Sequence, residues 1–184
     1  MRVISGSARS LKLKTLDTLE TRPTQDRTKE TLFNVLNPFL ADCRFLDLFA
    51  GSGGIGIEAL SRGAKSCVFV EQNPKAIECI EHNLNFTKLA KGAKVYHGDA
   101  IAVLHQLDKE EPFHCIFMDP PYNKELEKQA LTYISKSSLM DDDTLIVVEA
   151  SLETDFSYLS ELGLKDYKRK QYKTNQHVFI QREI

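Results

Sequence analysis

The sequence has few cysteines, no apolar run of membrane-spanning length and almost no net charge, and each shortage removes a class of protein. Four cysteines occur among 184 residues. Cys43, Cys67, Cys79 and Cys115 lie far apart, with no C-x-x-C pair and no paired-histidine spacing, which argues against a zinc site or a disulfide framework. Cys67 in "SCVFVE" and Cys115 in "FHCIFMD" sit within apolar stretches and read as buried, reduced thiols. No stretch approaches the roughly 18 apolar residues of a membrane span. "MRVISGSARS" at the N-terminus lacks the apolar segment of a secretory signal, so a cytoplasmic location is expected. The five histidines show no triad or ligand spacing and read as surface or satisfied structural residues. There is no internal repeat and no low-complexity linker.

What is present fits a folded chain: 42% hydrophobic and 27% charged residues describe a soluble globular protein, long enough for one domain with a small appendage. The net charge of −2 does not by itself point to nucleic acid, but it is unevenly spread. Residues 1–14 carry Arg2, Arg9, Lys12 and Lys14 without an acid, and "KDYKRKQYK" (165–173) carries five bases against Asp166. Residues 99–161 hold fourteen acids and four bases. Basic ground at both chain ends would orient a polyanion; solvated polar faces account for the same charges equally well.

From Arg44 onward, strand-like and helix-like stretches alternate. "RFLDLFA", "KSCVFVE", "AKVYHG", "FHCIFMD" and "TLIVVEA" read as strands, and helices follow the first four. Asn73-Pro74 offers a cap followed by proline at the first helical position, with Ala76, Ile77, Ile80 and Leu84 on one apolar side of the helix. Repeated units of this kind imply a parallel sheet covered on both faces. After a short helix near Phe156 to Leu162, "LKDYKRKQYK" and "QHVFIQR" are separated only by Thr174 and Asn175, too few residues for a crossover, so they should pair antiparallel at the sheet edge. The expected fold is therefore α/β, a mostly parallel seven-stranded sheet with an antiparallel C-terminal hairpin, and this resembles the Rossmann-like fold of S-adenosylmethionine (SAM)-dependent methyltransferases. Ahead of it, "RVISGSARSLKLKT" reads as a hairpin turning at Ser5 to Ala8. Leu32, Val35, Leu36, Phe39 and Leu40 then mark a helix face, with Thr24 or Asp26 as its cap. Residues 1–40 are expected to form an N-terminal extension and residues 41–184 the main domain.

Two motifs carry chemistry. "LDLFAGSGGIGIEAL" places Gly51, Gly53 and Gly56 at G-x-G-x-x-G spacing after the first strand, a pattern weak alone that brings backbone close to a nucleotide-like ligand. "DPPY", Asp119 to Tyr122, ends the fourth strand, where open α/β sheets put their crevices. Its prolines remove two N–H donors and leave carbonyl oxygens and the Asp119 carboxylate as acceptors, which an exocyclic amino group requires. Tyr122 offers a face for a flipped base. A strand-ending turn is the plain alternative for this motif, and its position after a glycine loop weighs against that alternative.

With "RPTQDRTKETLFNVL", "FLDLFAGSGGIGIEALSRGA", "FVEQNPKAI" and "MDPPY" in view, the chain resembles the RsmD-type methyltransferases, which transfer a methyl group from SAM to N2 of a guanine in 16S ribosomal RNA. The likeness covers Arg22 to Tyr122 and suits the basic hairpin; the C-terminal third rests on pattern alone. The resemblance implies SAM as cofactor and, as partner, 16S ribosomal RNA within an assembling or assembled small subunit, with no metal and no membrane. It implies cofactor contacts from Phe49, Ala50, Gly51, Ser52 and Gly53 with Asp47 beneath them, from Glu71 at the ribose hydroxyls, from Gln72, and from Asp99 and Ala100 at the adenine edge. It assigns catalysis to Asp119, Pro120, Pro121 and Tyr122. RNA contacts are expected from Arg2, Arg9, Lys12, Arg22, Thr24, Arg27 and Tyr122; for Arg22 to Thr24 a helix-capping turn is an equal alternative. Gly56 is expected to serve helix packing alone.

In this reading Asp119 and the Pro120 carbonyl hold the amino hydrogens and aim the nitrogen lone pair at the methyl carbon, so alignment supplies most of the catalysis. The proton leaves after transfer, and Asp119 needs no raised pKa. One rival is an adenine-N6 methyltransferase acting on DNA or RNA, since Asp-Pro-Pro-Tyr suits that chemistry too; this chain has little room for such an enzyme's target-recognition region. A nicotinamide-dependent oxidoreductase would leave "DPPY" and the antiparallel tail without a role. A non-catalytic RNA-binding module would bind without transferring methyl.

Overall fold

The computed structural model describes residues 1–16 and 23–184, with the side chains of Pro23 and Thr24 outside that description. One seven-stranded sheet runs in the order β3-β2-β1-β4-β5-β7-β6. Its strands are β1 (Arg44–Leu48), β2 (Ser66–Glu71), β3 (Ala93–His97), β4 (Cys115–Met118), β5 (Leu145–Ser151), β6 (Leu164–Gln171) and β7 (Asn175–Arg182). The first five are parallel, and β7 runs antiparallel to both β5 and β6. This is the expected α/β architecture, with β6 as the solvated edge and β7 wedged inside it.

Helices α1 (Pro23–Leu40), α2 (Gly54–Ser61), α3 (Pro74–Thr87), α4 (Ala100–Leu107) and α5 (Leu126–Ile134) cover the sheet. Because successive strand residues face opposite ways, the sheet's two sides are read by residue parity. Phe45, Phe69, Phe117, Val147 and Phe179 pack with Leu32, Phe33 and Leu36 of α1, Ile57 of α2 and Ile80 of α3. Leu46, Val68, Met118, Val148 and Val178 pack with Val103 and Leu104 of α4 and Ala130 and Leu131 of α5. Burial on both faces is why the central strands read as continuous apolar runs. The four cysteines are buried and free. Among the described residues, no helix is long and apolar enough to cross a membrane.

The N-terminal hairpin is present but looser than expected. Its one bridge joins Arg2 to Lys12, and the turn runs on to Ser10. Ser7 and Ala8 give their N–H groups to Ser61 of α2 instead of to a partner strand. Gly6, at φ +89°, lets this approach happen, since a Cβ there would lie 1.8 Å from the Ser61 carbonyl oxygen. The expected capping of α1 needs correction. The helix begins at Pro23, whose fixed φ suits a first helical position, so Asp26 lies inside the helix and not ahead of it; the Thr24 side chain lies outside the described residues. Asp26 pairs instead with Arg2 Nε at 3.3 Å. Asn73 does cap α3, accepting from Lys75 N at 3.0 Å.

One buried carboxylate ties these parts together. Glu58 of α2, fully buried, accepts from Ile4 N (2.9 Å) and Ser5 N (3.0 Å) and pairs with Lys29 Nζ (3.2 Å) and Arg62 Nε (2.8 Å).

Candidate active site

The C-terminal ends of the parallel strands meet the loops that follow them in a crevice of about 510 Å³. β1 stops at Leu48, and the chain turns through Phe49 (φ +70°), Gly51 (φ +55°) and Gly53 (φ +83°) into α2. A Cβ on Gly51 would meet nothing within 4 Å, so this glycine leaves the crevice wall open. Gly53 faces inward, towards Ile80, Ile57 and Phe69.

Glu71 ends β2 and holds the loop. Its Oε2 accepts from Gly51 N at 2.8 Å, and its Oε1 accepts from Gln72 N and Asn73 N, each at 2.8 Å. Three backbone donors fix the carboxylate's position, while Oε2, which accepts from Gly51 alone, keeps acceptor capacity for a donor arriving from the crevice. Beneath the loop, Asp47 is 1% exposed and its Oδ2 accepts from Gly56 N at 2.9 Å. Burial pushes the Asp47 carboxyl up to about 7, the Gly56 N–H pulls it down, and the Glu71 carboxylate adds to the rise. Gly56 thus does more than pack: a Cβ there would lie 2.3 Å from Phe69, and its N–H also anchors Asp47.

At the crevice's other end Asp99 caps α4, its Oδ1 accepting from Ala102 N at 3.0 Å. Ala100 opens the helix, where first-turn N–H groups have no intrahelical acceptor.

Asp119 to Tyr122 line this crevice, and Asp119 and Tyr122 also line a second cavity of about 570 Å³. Pro120 is buried and Pro121 exposed. Asp119, also exposed, has no hydrogen-bond partner acting on its titration among the described residues. Its carboxyl is raised well above the ordinary range by the surrounding protein's exclusion of water, then by the carboxylates of Glu149 and Asp47. Because Asp119 remains open to solvent, the like charges are the firmer cause. That rise was not expected from the sequence; it follows from register. Met118 pairs with Val148 across parallel β4 and β5, so Asp119 and Glu149 come next on the same face. Tyr122 is 45% exposed, and desolvation followed by Glu149 and Asp119 pushes its hydroxyl up to about 12.

The second cavity contains the residues that sequence reading missed. Glu149 Oε1 accepts from Asn175 Nδ2 at 2.6 Å, its Oε2 lies 3.1 Å from His177 Nε2, and His177 Nδ1 lies 3.3 Å from the Tyr172 hydroxyl. The available signal was an acid at the end of the apolar strand "LIVVEA", matching the position of Asp119 after "CIFM".

Of the residues expected at a cofactor, Phe49, Gly51, Glu71, Gln72, Asp99 and Ala100 line the first cavity. Asp47, Ala50, Ser52 and Gly53 do not; they build the loop from behind. Val70, Gly98 and Leu126 line it in addition. Arg2, Arg9, Lys12 and Arg27 gather around a separate cleft of about 880 Å³, together with Asp26 and Glu30. Arg22 and the side chain of Thr24 lie outside the described residues. Among the described residues no group of three or more His, Cys, Asp or Glu could hold a metal ion.

A family model described as conserved hypothetical protein 95 matches residues 1–181. A Bacillus subtilis (strain 168) protein named "Putative rRNA methyltransferase YlbH" is 46% identical over 156 residues, 84% of this chain and 85% of its own. "Ribosomal RNA small subunit methyltransferase D" of Escherichia coli (strain K12) is 37% identical over 153 residues, 83% and 76% of the two chains. The solved structure named "Putative methyltransferase yhhF from Escherichia coli" superposes with a TM-score of 0.85 at 32% identity, covering 100% of this chain and 98% of that one.

Proposed function

The chain belongs to the conserved hypothetical protein 95 family, and from that premise we propose that it transfers a methyl group from SAM to the exocyclic N2 of a guanine in 16S ribosomal RNA. It is an RsmD-like ribosomal RNA methyltransferase by its relatives, and the guanine and N2 assignments rest on the site. The observation that carries them is Asp119, an acceptor at the wall between two cavities, followed by two prolines that supply carbonyl oxygens and no N–H.

The donor set of the first cavity fits SAM. Glu71, held by three backbone N–H groups, accepts from the ribose hydroxyls. Asp99 accepts from the adenine amino group while Ala100 N–H donates to the ring, and the Gly51 turn leaves room for the methionine end. When bound, SAM supplies an electrophilic sulfonium methyl.

The chain's own residues do the rest. Asp119 and the Pro120 carbonyl accept the two N2 hydrogens, and this aims the nitrogen lone pair across the shared wall. Tyr122 stacks on the base. After transfer N2 carries an acidic proton, which Asp119 accepts; its raised affinity for protons suits that step. Arg2, Arg9, Lys12 and Arg27 meet phosphates along the basic cleft.

Labelled methyl transfer to small subunits, protein-free ribosomal RNA and DNA, run in parallel with identification of the product nucleoside, tests the proposal. N2-methylguanine in the ribosomal samples is expected. N6-methyladenine without N2-methylguanine would overturn it.

A further inference from the structure

Resting on the guanine reading above, we propose that Glu149 is the residue that selects guanine over adenine, by accepting the N1–H of the target base beside Asp119. Three observations carry this. First, β4 and β5 are parallel neighbours about 4.8 Å apart with Met118 opposite Val148, so Asp119, just past the end of β4, and Glu149, within β5, come next side by side and line one cavity. Two neighbouring carboxylates make a wall of acceptors, and the ligand edge that matches it has two neighbouring donors. Guanine presents N1–H beside its N2 amino group. Adenine presents one amino group beside an N1 lone pair, which would face a carboxylate and be repelled.

Second, Glu149 is held from behind in a way that leaves its front open. Asn175 Nδ2 donates to Oε1 at 2.6 Å. The ring of His177 is 1% exposed, with Nε2 placed 3.1 Å from Oε2. The Tyr172 hydroxyl lies 3.3 Å from His177 Nδ1. If Tyr172 donates to Nδ1, the neutral imidazole keeps its proton on Nε2 and donates to Glu149, so one tautomer satisfies all three groups. A side chain fixed by two donors on one side keeps acceptor capacity facing the cavity.

Third, the arrangement gives the antiparallel C-terminal hairpin a role. Glu149 pairs with His177 across β5 and β7, while Asn175 and Tyr172 flank the hairpin turn. In this arrangement the β6–β7 hairpin acts as the clamp of the base pocket, and His177, Asn175 and Tyr172 are positioning residues that act through Glu149.

The test compares wild-type protein with Glu149→Gln on small ribosomal subunits lacking this methylation, scoring N2-methylguanine and N6-methyladenine and measuring SAM affinity on the same preparations. An amide of the same shape can turn a donor towards the base, so N2-methylguanine formation should fall about 30-fold or more in kcat/KM, as expected for losing a charge-assisted hydrogen bond. SAM affinity should stay within twofold, and Tyr172→Phe should give a smaller loss in the same direction. Guanine methylation within threefold of wild type would overturn the role of Glu149 while leaving the proposed function standing. A matching loss of SAM affinity would make Glu149 a structural residue and overturn the inference too. A wild type that methylates adenine would overturn the guanine reading and this inference together.

Discussion

Two carboxylates, buried Glu58 and solvent-open Asp119, sit on the same side of one sheet and are treated in opposite ways. Glu58 has its whole charge matched: two backbone N–H groups, an ammonium and a guanidinium surround it. Asp119 stands with other acids, and the two prolines after it remove the donors that would have satisfied it. A carboxylate saturated by the protein serves the fold; one kept among acceptors costs the fold and awaits donors from a ligand. Glu71 lies between these extremes, with its back saturated and its front free.

Removing the saturated charge should have the largest effect. Glu58→Ala leaves Lys29 and Arg62 buried without their partner, and breaking such a pair costs about 3–5 kcal/mol of stability, to be read from urea unfolding. Truncating the open acceptor should act on chemistry instead. Asp119→Ala is expected to lower single-turnover methyl transfer about 1,000-fold, the scale seen when a group that acts on the reacting atoms is removed, while leaving SAM affinity unchanged; unchanged turnover would remove Asp119 from the chemistry. Glu71→Ala should weaken SAM binding by about 10- to 100-fold, through both the lost ribose acceptor and the freed Gly51 turn. A calorimetric dissociation constant equal to wild type would exclude it from the cofactor site.

Asp47 sharpens the comparison through pH. Its folded pKa of about 7 lies above the ordinary carboxyl value of 3.8. The folded state therefore binds more protons than the unfolded state between these values, and its contribution to stability, full below 3.8, is lost as pH rises through 7. Asp47→Asn removes that titration. Unfolding free energies measured from pH 4 to 8 should fall less steeply in the variant than in wild type, by an amount of order a few kcal/mol across the window. Parallel curves would show that Asp47 does not titrate there.

Much of this could be read in the sequence because the relevant physics is local. Strands buried on both faces show as unbroken apolar runs, Asn73-Pro74 caps its own helix, and Asp119-Pro120-Pro121 advertises acceptors without donors in three consecutive letters. Glu71, which the family resemblance singled out at about the spacing of a nucleotide site's acid from its glycine loop, ends β2 and lines the crevice. What escaped depends on contacts between distant segments. Glu58 sits in "GIGIEALS", where an acid looks like the polar face of a helix; its partners Ile4 and Lys29 lie far back in the chain. Glu149 becomes meaningful only when antiparallel β7 brings Asn175 and His177 alongside, and the raised proton affinity of Asp119 depends on the same strand register. Asp26 as the cap of α1 was misread for a local reason: Pro23 starts the helix three residues before it.

The account is tested most directly by making Glu58→Ala and Asp119→Ala side by side and measuring, for each, unfolding free energy and single-turnover methyl transfer to unmethylated small subunits. A crossed result is predicted. Glu58→Ala loses stability yet transfers methyl at near the wild-type rate in its folded fraction, and Asp119→Ala keeps or gains stability while transfer collapses. If both variants lose stability and rate in proportion, the distinction between saturated and open carboxylates is wrong.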